Sequence, residues 1–245
     1  MQNDDLKKLV IPKDEKRVGE RRTGYKHLDS ITAFFVAVLL ISNIASTKII
    51  DFGFFSLDGG VIVFPLSYIF GDILTEVYGY KKSRKVIWLG FFSAFIMSAA
   101  LIIVGVLPPS AEWGNQEAYE KILGLTPRLV LASLIAYFTG EFTNSYILSK
   151  MKIVTKGKWL WTRTIGSTIF GQIVDTIIFI FVAFYGILPM DLLISLILAN
   201  YVIKTGVEIT FTPVTYKIVY WLKKEEAEDY YDHDTDYNPF KLNED

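Results

Sequence analysis

Ser167-Thr168-Ile169-Phe170-Gly171-Gln172-Ile173-Val174-Asp175-Thr176 lies inside an apolar stretch that runs from Gly166 to Leu188. An amide and a carboxylate therefore sit within a segment that otherwise reads as a membrane-spanning helix. An Asp at the centre of such a helix costs roughly 2.5 to 3.5 kcal/mol on insertion scales, so intramembrane ionisable groups face a bundle interior or an aqueous cavity and mark a pathway or site. The stretch points to a chain that binds or moves something within the bilayer.

The rest of the sequence has the same character. Of 245 residues 51% are hydrophobic and the net charge is −1, with the apolar residues gathered into long blocks between short charged ones. About twenty apolar residues cross a hydrocarbon core about 30 Å thick. Six blocks are expected to do so: Ile31 to Ile50, Gly59 to Tyr78, Val86 to Leu107, Leu129 to Leu148, Ile165 to Leu188, and Leu192 to about Val219. Pro65 and Pro213 fall inside the second and sixth, which membrane helices tolerate. The fold class predicted is an all-α integral membrane protein with six transmembrane helices.

Lys and Arg set the orientation. Eight lie in the segment up to Lys26, four from Lys81 to Lys85, five from Lys150 to Arg163 and four from Lys217 onward, against Lys48, Lys121 and Arg128 in the alternate connections. Both termini and the even loops are expected to be cytoplasmic, with Ser83 inside and the connection from Ala111 to Thr126 outside. All five Trp lie at or beyond block ends, as an interfacial aromatic belt requires. The expected organisation is a cytoplasmic segment over 1–29, a six-helix domain over 30–222, and an acidic, disordered cytoplasmic tail over 223–245 that is nonetheless rich in tyrosine. No cleavable signal peptide is expected, because the first apolar run follows some thirty charged residues and is long enough to span.

The polar residues inside the blocks fall on single helical faces. Asp72 and Glu76 are four apart, as are Gln172 and Thr176, and Asn200, Lys204 and Glu208 follow at the same step. Counting about 1.5 Å per residue from each block's start, Asp72, Glu141, Gln172 and Lys204 come out roughly 10 to 12 Å above the cytoplasmic boundary, with Asn43 and Asp175 a little higher. Asn43, Asp72, Gln172, Asp175 and Lys204 are the substrate-binding candidates. Glu76, Arg84, Glu141 and Glu208 are candidates for gating or coupling, and a boundary ion pair is expected between Glu76 and Arg84. Proton coupling through Asp175 or Glu141 and facilitated diffusion are both compatible with these residues. Ala33 and Ala37 form a small-residue pair on the first helix.

Catalysis is not expected. The chain has no Cys, and its two His, His27 and His233, lie outside the blocks, so no metal site and no cofactor are foreseen. Asp72 and Asp175 do not form an intramembrane protease signature, since Ile69 stands where its first Gly belongs.

Ser42-Asn43, the run Gly71-Asp72-Ile73-Leu74-Thr75-Glu76-Val77-Tyr78-Gly79 followed by Arg84, the Ser167 to Thr176 run, and Lys204 with Glu208 and Pro213 together resemble the queuosine precursor transporter family of the vitamin uptake transporter group. The resemblance covers Ser30 to Leu222. It implies a multi-pass importer in the cell inner (cytoplasmic) membrane for 7-deazaguanine bases, the nitrile and aminomethyl precursors of a tRNA modification. Its partners would be a small planar base and lipid, with no direct nucleic-acid contact, no dedicated ATPase module, and a homodimer compatible. A guanine-like edge carries N1–H and amino donors beside an O6 acceptor. Asp72 or Asp175 would accept the donors, and Gln172, Asn43 or Lys204 would donate to O6. Tyr68 and Phe179 are candidates to stack on the ring. The alternative is a substrate-binding subunit of an ATP-driven vitamin or nucleobase system, with Ala33 and Ala37 as its docking surface.

Overall fold

The first apolar block does not run straight to Ile50. In the computed structural model, which describes residues 24–51, 56–123, 127–186, 189–233 and 235–241, α1 spans Leu28–Ala45 and the chain then turns into a hairpin of β1 (Ile49–Asp51) and β2 (Ser56–Asp58). The strands are antiparallel, with Ile49 opposite Asp58 and Ile50 opposite Leu57. A 3₁₀ turn over Gly59–Ile62 follows, then α2 (Phe64–Tyr78), α3 (Tyr80–Val106), a short α4 (Gln116–Leu123), α5 (Pro127–Val154), α6 (Leu160–Phe184) and α7 (Met190–Glu226). The first 23 residues and the last four of the expected terminal segments lie outside the described residues. Pro65 starts α2 rather than interrupting it, since a first-turn Pro loses no helical bond. Pro213 sits inside α7, which continues through it.

α1, α3, α6 and α7 are each long and apolar enough to cross a membrane. α2 is not: its 15 residues rise about 22 Å. It is the hub instead, buried along nearly its whole length and packed on α1, α3, α5 and α7. Of the 3₁₀ turn that precedes it, Gly59, Gly60 and Val61 are buried. α5 pairs most extensively with α6, and Gly140 permits their approach: a β-carbon there would collide with the Tyr68 hydroxyl and lie 2.7 Å from the Asp175 Cβ.

The molecule is inverted relative to a water-soluble fold. Phe34, Ile41, Phe92, Ile103, Phe170, Leu198 and Val202 are exposed, whereas Asp72, Glu76, Arg84, Glu141, Lys152, Arg163, Asp175, Lys204 and Glu208 are buried. Apolar surface of that extent needs lipid, and a charged interior needs internal partners. This is a helical membrane protein.

At one end of the bundle the chain ties itself together electrostatically. Glu76 on α2 receives Arg163 of α6 at 2.6 Å and Lys223 of α7 at 2.7 Å, with Lys152 of α5 at 3.8 Å. The expected Glu76–Arg84 pair does not form. The chain leaves α2 at Gly79, with φ +82°, so the spacing of eight no longer keeps the two side chains on one helical face. The Arg84 guanidinium donates instead to the carbonyls of Asp236 and Asn238.

Those carbonyls belong to the acidic tail. Through Lys241 the described part packs on the helix ends instead of being solvated as sequence reading expects. Asp232 accepts the Tyr80 backbone N–H at the start of α3 and the Ser149 hydroxyl, and the Trp88 indole donates to the Pro239 carbonyl at 2.7 Å. Asp229 bridges Lys152 and Lys223. Although burial pushes its carboxyl upward, the two ammonium groups hold it below the usual aspartate range. Glu226, at the end of α7, accepts the backbone N–H groups of Lys26 and His27 entering α1.

Candidate functional site

The second polar concentration lies in the middle of the bundle. Four helices contribute to it at the steps sequence spacing predicts, because residues three and four apart share a face. Lys204 of α7 donates to Asp175 of α6 at 2.8 Å, and its ammonium also sits 4.5 Å from the centre of the Phe64 ring. Gln172 of α6 donates to Glu208 of α7 at 3.0 Å. Asn144 of α5 donates to Asp72 of α2 at 2.7 Å. Glu141 of α5 packs against Gly71 and lies within Coulombic range of Asp72, Asp175 and Glu208. Tyr68 on α2 and Tyr137 on α5 turn their hydroxyls into the same interior, both fully buried.

Several atoms of this layer have no hydrogen-bond partner within the protein. They are both oxygens of Glu141, one oxygen of Glu208, the hydroxyls of Tyr68, Tyr137, Thr176 and Thr205, and the amide oxygens of Asn144 and Gln172. Buried polar atoms are nearly always satisfied, so a cluster of orphaned donors and acceptors across three helices and the hub marks a place built to meet something else. The layer presents hydroxyl donors beside carboxylate and amide acceptors, the complement of a small polar molecule that has both. Donors of the Tyr68 ring type also offer an apolar face to stack on a planar solute.

The structure brings Asp72, Gln172, Asp175 and Lys204 together, along with Glu141 and Glu208. Asn43 is not in the layer. It accepts the Ser133 hydroxyl at 2.7 Å, and Ser133 is eight residues, about 12 Å, along α5 from Glu141. Arg84 and Glu76 belong to the helix-end network, and Phe179 packs edge-on against Phe184 rather than near Tyr68. Sequence reading passed over Tyr137, Thr205 and Phe64. The period from Tyr137 to Glu141, four residues on one face, was the available signal for the first of these.

A bundle with an apolar exterior, several long apolar helices and a buried, unsatisfied polar layer across its helices defines a membrane transporter class. The comparisons agree. A family model described as "Putative vitamin uptake transporter" matches residues 58–218, and the chain belongs to that family. It is 33% identical over 158 residues to a "Probable queuosine precursor transporter" of Bacillus subtilis, covering 64% of this chain and 69% of that protein. It is 27% identical over 135 residues to a protein of the same description from Haemophilus influenzae, covering 55% and 54% of the two chains. A "Queuosine precursor transporter" of Escherichia coli is 24% identical over 161 residues, 66% of this chain and 70% of that one. No solved structure matches.

Proposed function

We propose that the chain imports queuosine precursors, 7-deazaguanine bases such as the nitrile and aminomethyl forms, as a carrier without catalytic activity. The observation that carries the reading is the buried layer of orphaned donors and acceptors on α2, α5, α6 and α7; the names of the relatives supply the substrate. Asp72 and Asp175 each spend one oxygen inside the protein, on Asn144 and Lys204. A carboxylate has two, so each keeps one for the N1–H and amino donors of the base. Lys204 has two further N–H groups for O6 after the one it gives Asp175, and the unpartnered Gln172 oxygen adds an acceptor. Tyr68 supplies a ring for stacking. Asn43 would act on the approach to the layer, not in it.

The test is restoration of queuosine in tRNA of a host unable to make the precursors and lacking its own transporter, supplied with base at low micromolar concentration. Expression of this chain is expected to restore the modification. Verified insertion without restoration would remove the base from the proposal. A feature favouring the ATP-driven alternative is the open groove between α1 and α3, lined by Ala33 and Ala37 with Leu89 and Ser93 opposite. Co-purification with an ATPase module would decide for it.

The proposal places the protein in the inner membrane with six spans and both termini in the cytoplasm, on the strength of the Lys and Arg distribution. The chain has no Cys, so single cysteines report without background. Ser83 is unsuitable as a reporter because it is fully buried and hydrogen-bonded to Thr75 and Ser145. Trp113→Cys, between α3 and α4, and Lys158→Cys, between α5 and α6, replace exposed residues. An impermeant maleimide applied to intact cells is expected to label only the first. Labelling only the second would reverse the orientation.

A further inference from the structure

Among the described residues the layer sets four carboxylates, Asp72, Glu141, Asp175 and Glu208, against one ammonium, Lys204. Asp175 takes the ammonium, and Asp72 and Glu208 each take an amide N–H. Glu141 takes nothing: it is fully buried and neither oxygen has a partner. From α2 it faces Tyr68 and Asp72, from α6 Asp175, from α7 Glu208, and from its own helix Tyr137. α3 between Val86 and Val106 and α1 between Ser30 and Ala45 carry no ionisable residue. Among the described residues, no cation is therefore free to approach it from any packed element. On its α2 side one Glu141 oxygen lies so close to Gly71 that not even a β-carbon fits between them. A bare carboxylate in such a place, beside three others, is among the least tolerated of buried groups.

We infer that Glu141 is a proton-binding site, and that the transporter closes around its central layer only when that proton is in place. The step is a single proton transfer. In a state open to either side, water reaches Glu141 and it exchanges its proton with that water; closure expels the water and retains the neutral acid. A deprotonated Glu141 holds the protein open, because closing would strand the charge next to Asp72, Asp175 and Glu208. The inference rests on the transport reading, since it concerns the closure every alternating-access cycle passes through. It assigns Glu141 a role separate from recognition of the base, which falls to Asp72, Asp175, Lys204 and Gln172.

The rate of passage then follows the fraction of open protein that carries the proton. That fraction falls by up to tenfold for each pH unit once Glu141 in the open protein loses its proton. The experiment is counterflow exchange of labelled 7-cyano-7-deazaguanine in proteoliposomes of the full chain, with equal pH on both sides, between about pH 6 and pH 8. The wild-type rate is expected to fall steeply, by about tenfold or more, over that interval. Glu141→Gln, which is neutral at every pH, is expected to flatten the profile to within about twofold, and Glu141→Asp to restore the fall.

A wild-type profile that is already flat overturns the inference, and this arm needs no variant to fold. A Glu141→Gln profile that still falls as steeply as wild type also overturns it, placing the titration on Asp72, Asp175 or Glu208. If the wild type exchanges no base at any pH, the transport reading itself fails and the inference goes with it, a result distinct from exchange without pH dependence.

Discussion

Asp175→Asn is expected to abolish uptake while the protein still inserts, and Lys204→Ala is expected to do the same. The two side chains meet at 2.8 Å with only 3% and 8% of their surfaces exposed. Removing either partner leaves the other charge in a low-dielectric interior, which costs about 3 to 5 kcal/mol. The Phe64 ring beside Lys204 compensates only partly, since a cation over an aromatic face is worth about 1 to 2 kcal/mol. Both single variants therefore lower thermal stability in detergent. The double change to Asn and Ala removes both charges at once, and most of the stability returns.

Transport is expected not to return with it. If Asp175 and Lys204 hold the base through their remaining acceptor and donors, each charged hydrogen bond contributes about 1.5 to 3 kcal/mol, a factor of roughly ten to a hundred in affinity. The double variant lacks both. Uptake normalised to inserted protein separates the two roles. A double variant that recovers uptake together with stability would make the pair a packing device and remove it from the substrate path.

This pair was readable from sequence because its logic is periodic. Gln172 and Asp175 on one helix and Lys204 and Glu208 on the next fall at steps of three and four, and neighbouring helices in the chain pack side by side. The apolar blocks were readable for the same reason, by length and composition. What failed was whatever depends on chain breaks or on distant partners. The second block is apolar from Gly59 onward, but its helix starts only at Phe64 after a 3₁₀ turn, because Pro65 fixes a helix start that hydropathy does not register. Proximity in sequence points Glu76 to Arg84, eight positions on, while its partners stand 76, 87 and 147 positions away. The tail's lack of apolar periodicity points to a solvated segment. It docks by other means: Asp232 caps α3, Tyr237 lies against Tyr80 and under the Lys150 ammonium, and Pro239 offers a carbonyl to Trp88. Its tyrosines were the legible signal, since solvated acidic tails are poor in aromatics.

Glu76→Gln is expected to be the most destabilising conservative change in the protein. Glu76 is 1% exposed and, among the described residues, is the only carboxylate in direct contact with Arg163, which donates to both its oxygens at 2.6 and 3.2 Å. It also receives Lys223, with Lys152 close by. Arg163 and Lys152 are themselves buried. Glutamine keeps the shape but removes the charge that three cations share, leaving the half-exposed Asp229 to face Lys152 and Lys223. A buried pair broken on one side costs about 3 to 5 kcal/mol, and here α2, α5, α6 and α7 lose their common tie at once. For a chain of this length that corresponds to a fall of roughly 6 to 20 °C in melting temperature. Asp229→Asn should cost less, because water screens its site. Its contribution also has a pH signature. A carboxyl held below its unfolded value stabilises the fold above that value, near pH 4, and loses the contribution as pH falls through the lower folded one. Wild type should thus lose part of its neutral-pH stability as pH falls below about 4, with Asp229→Asn showing a smaller loss. Melting of the three proteins in detergent checks the order, and a Glu76→Gln variant that melts with wild type would show that the helix ends hold without the charge.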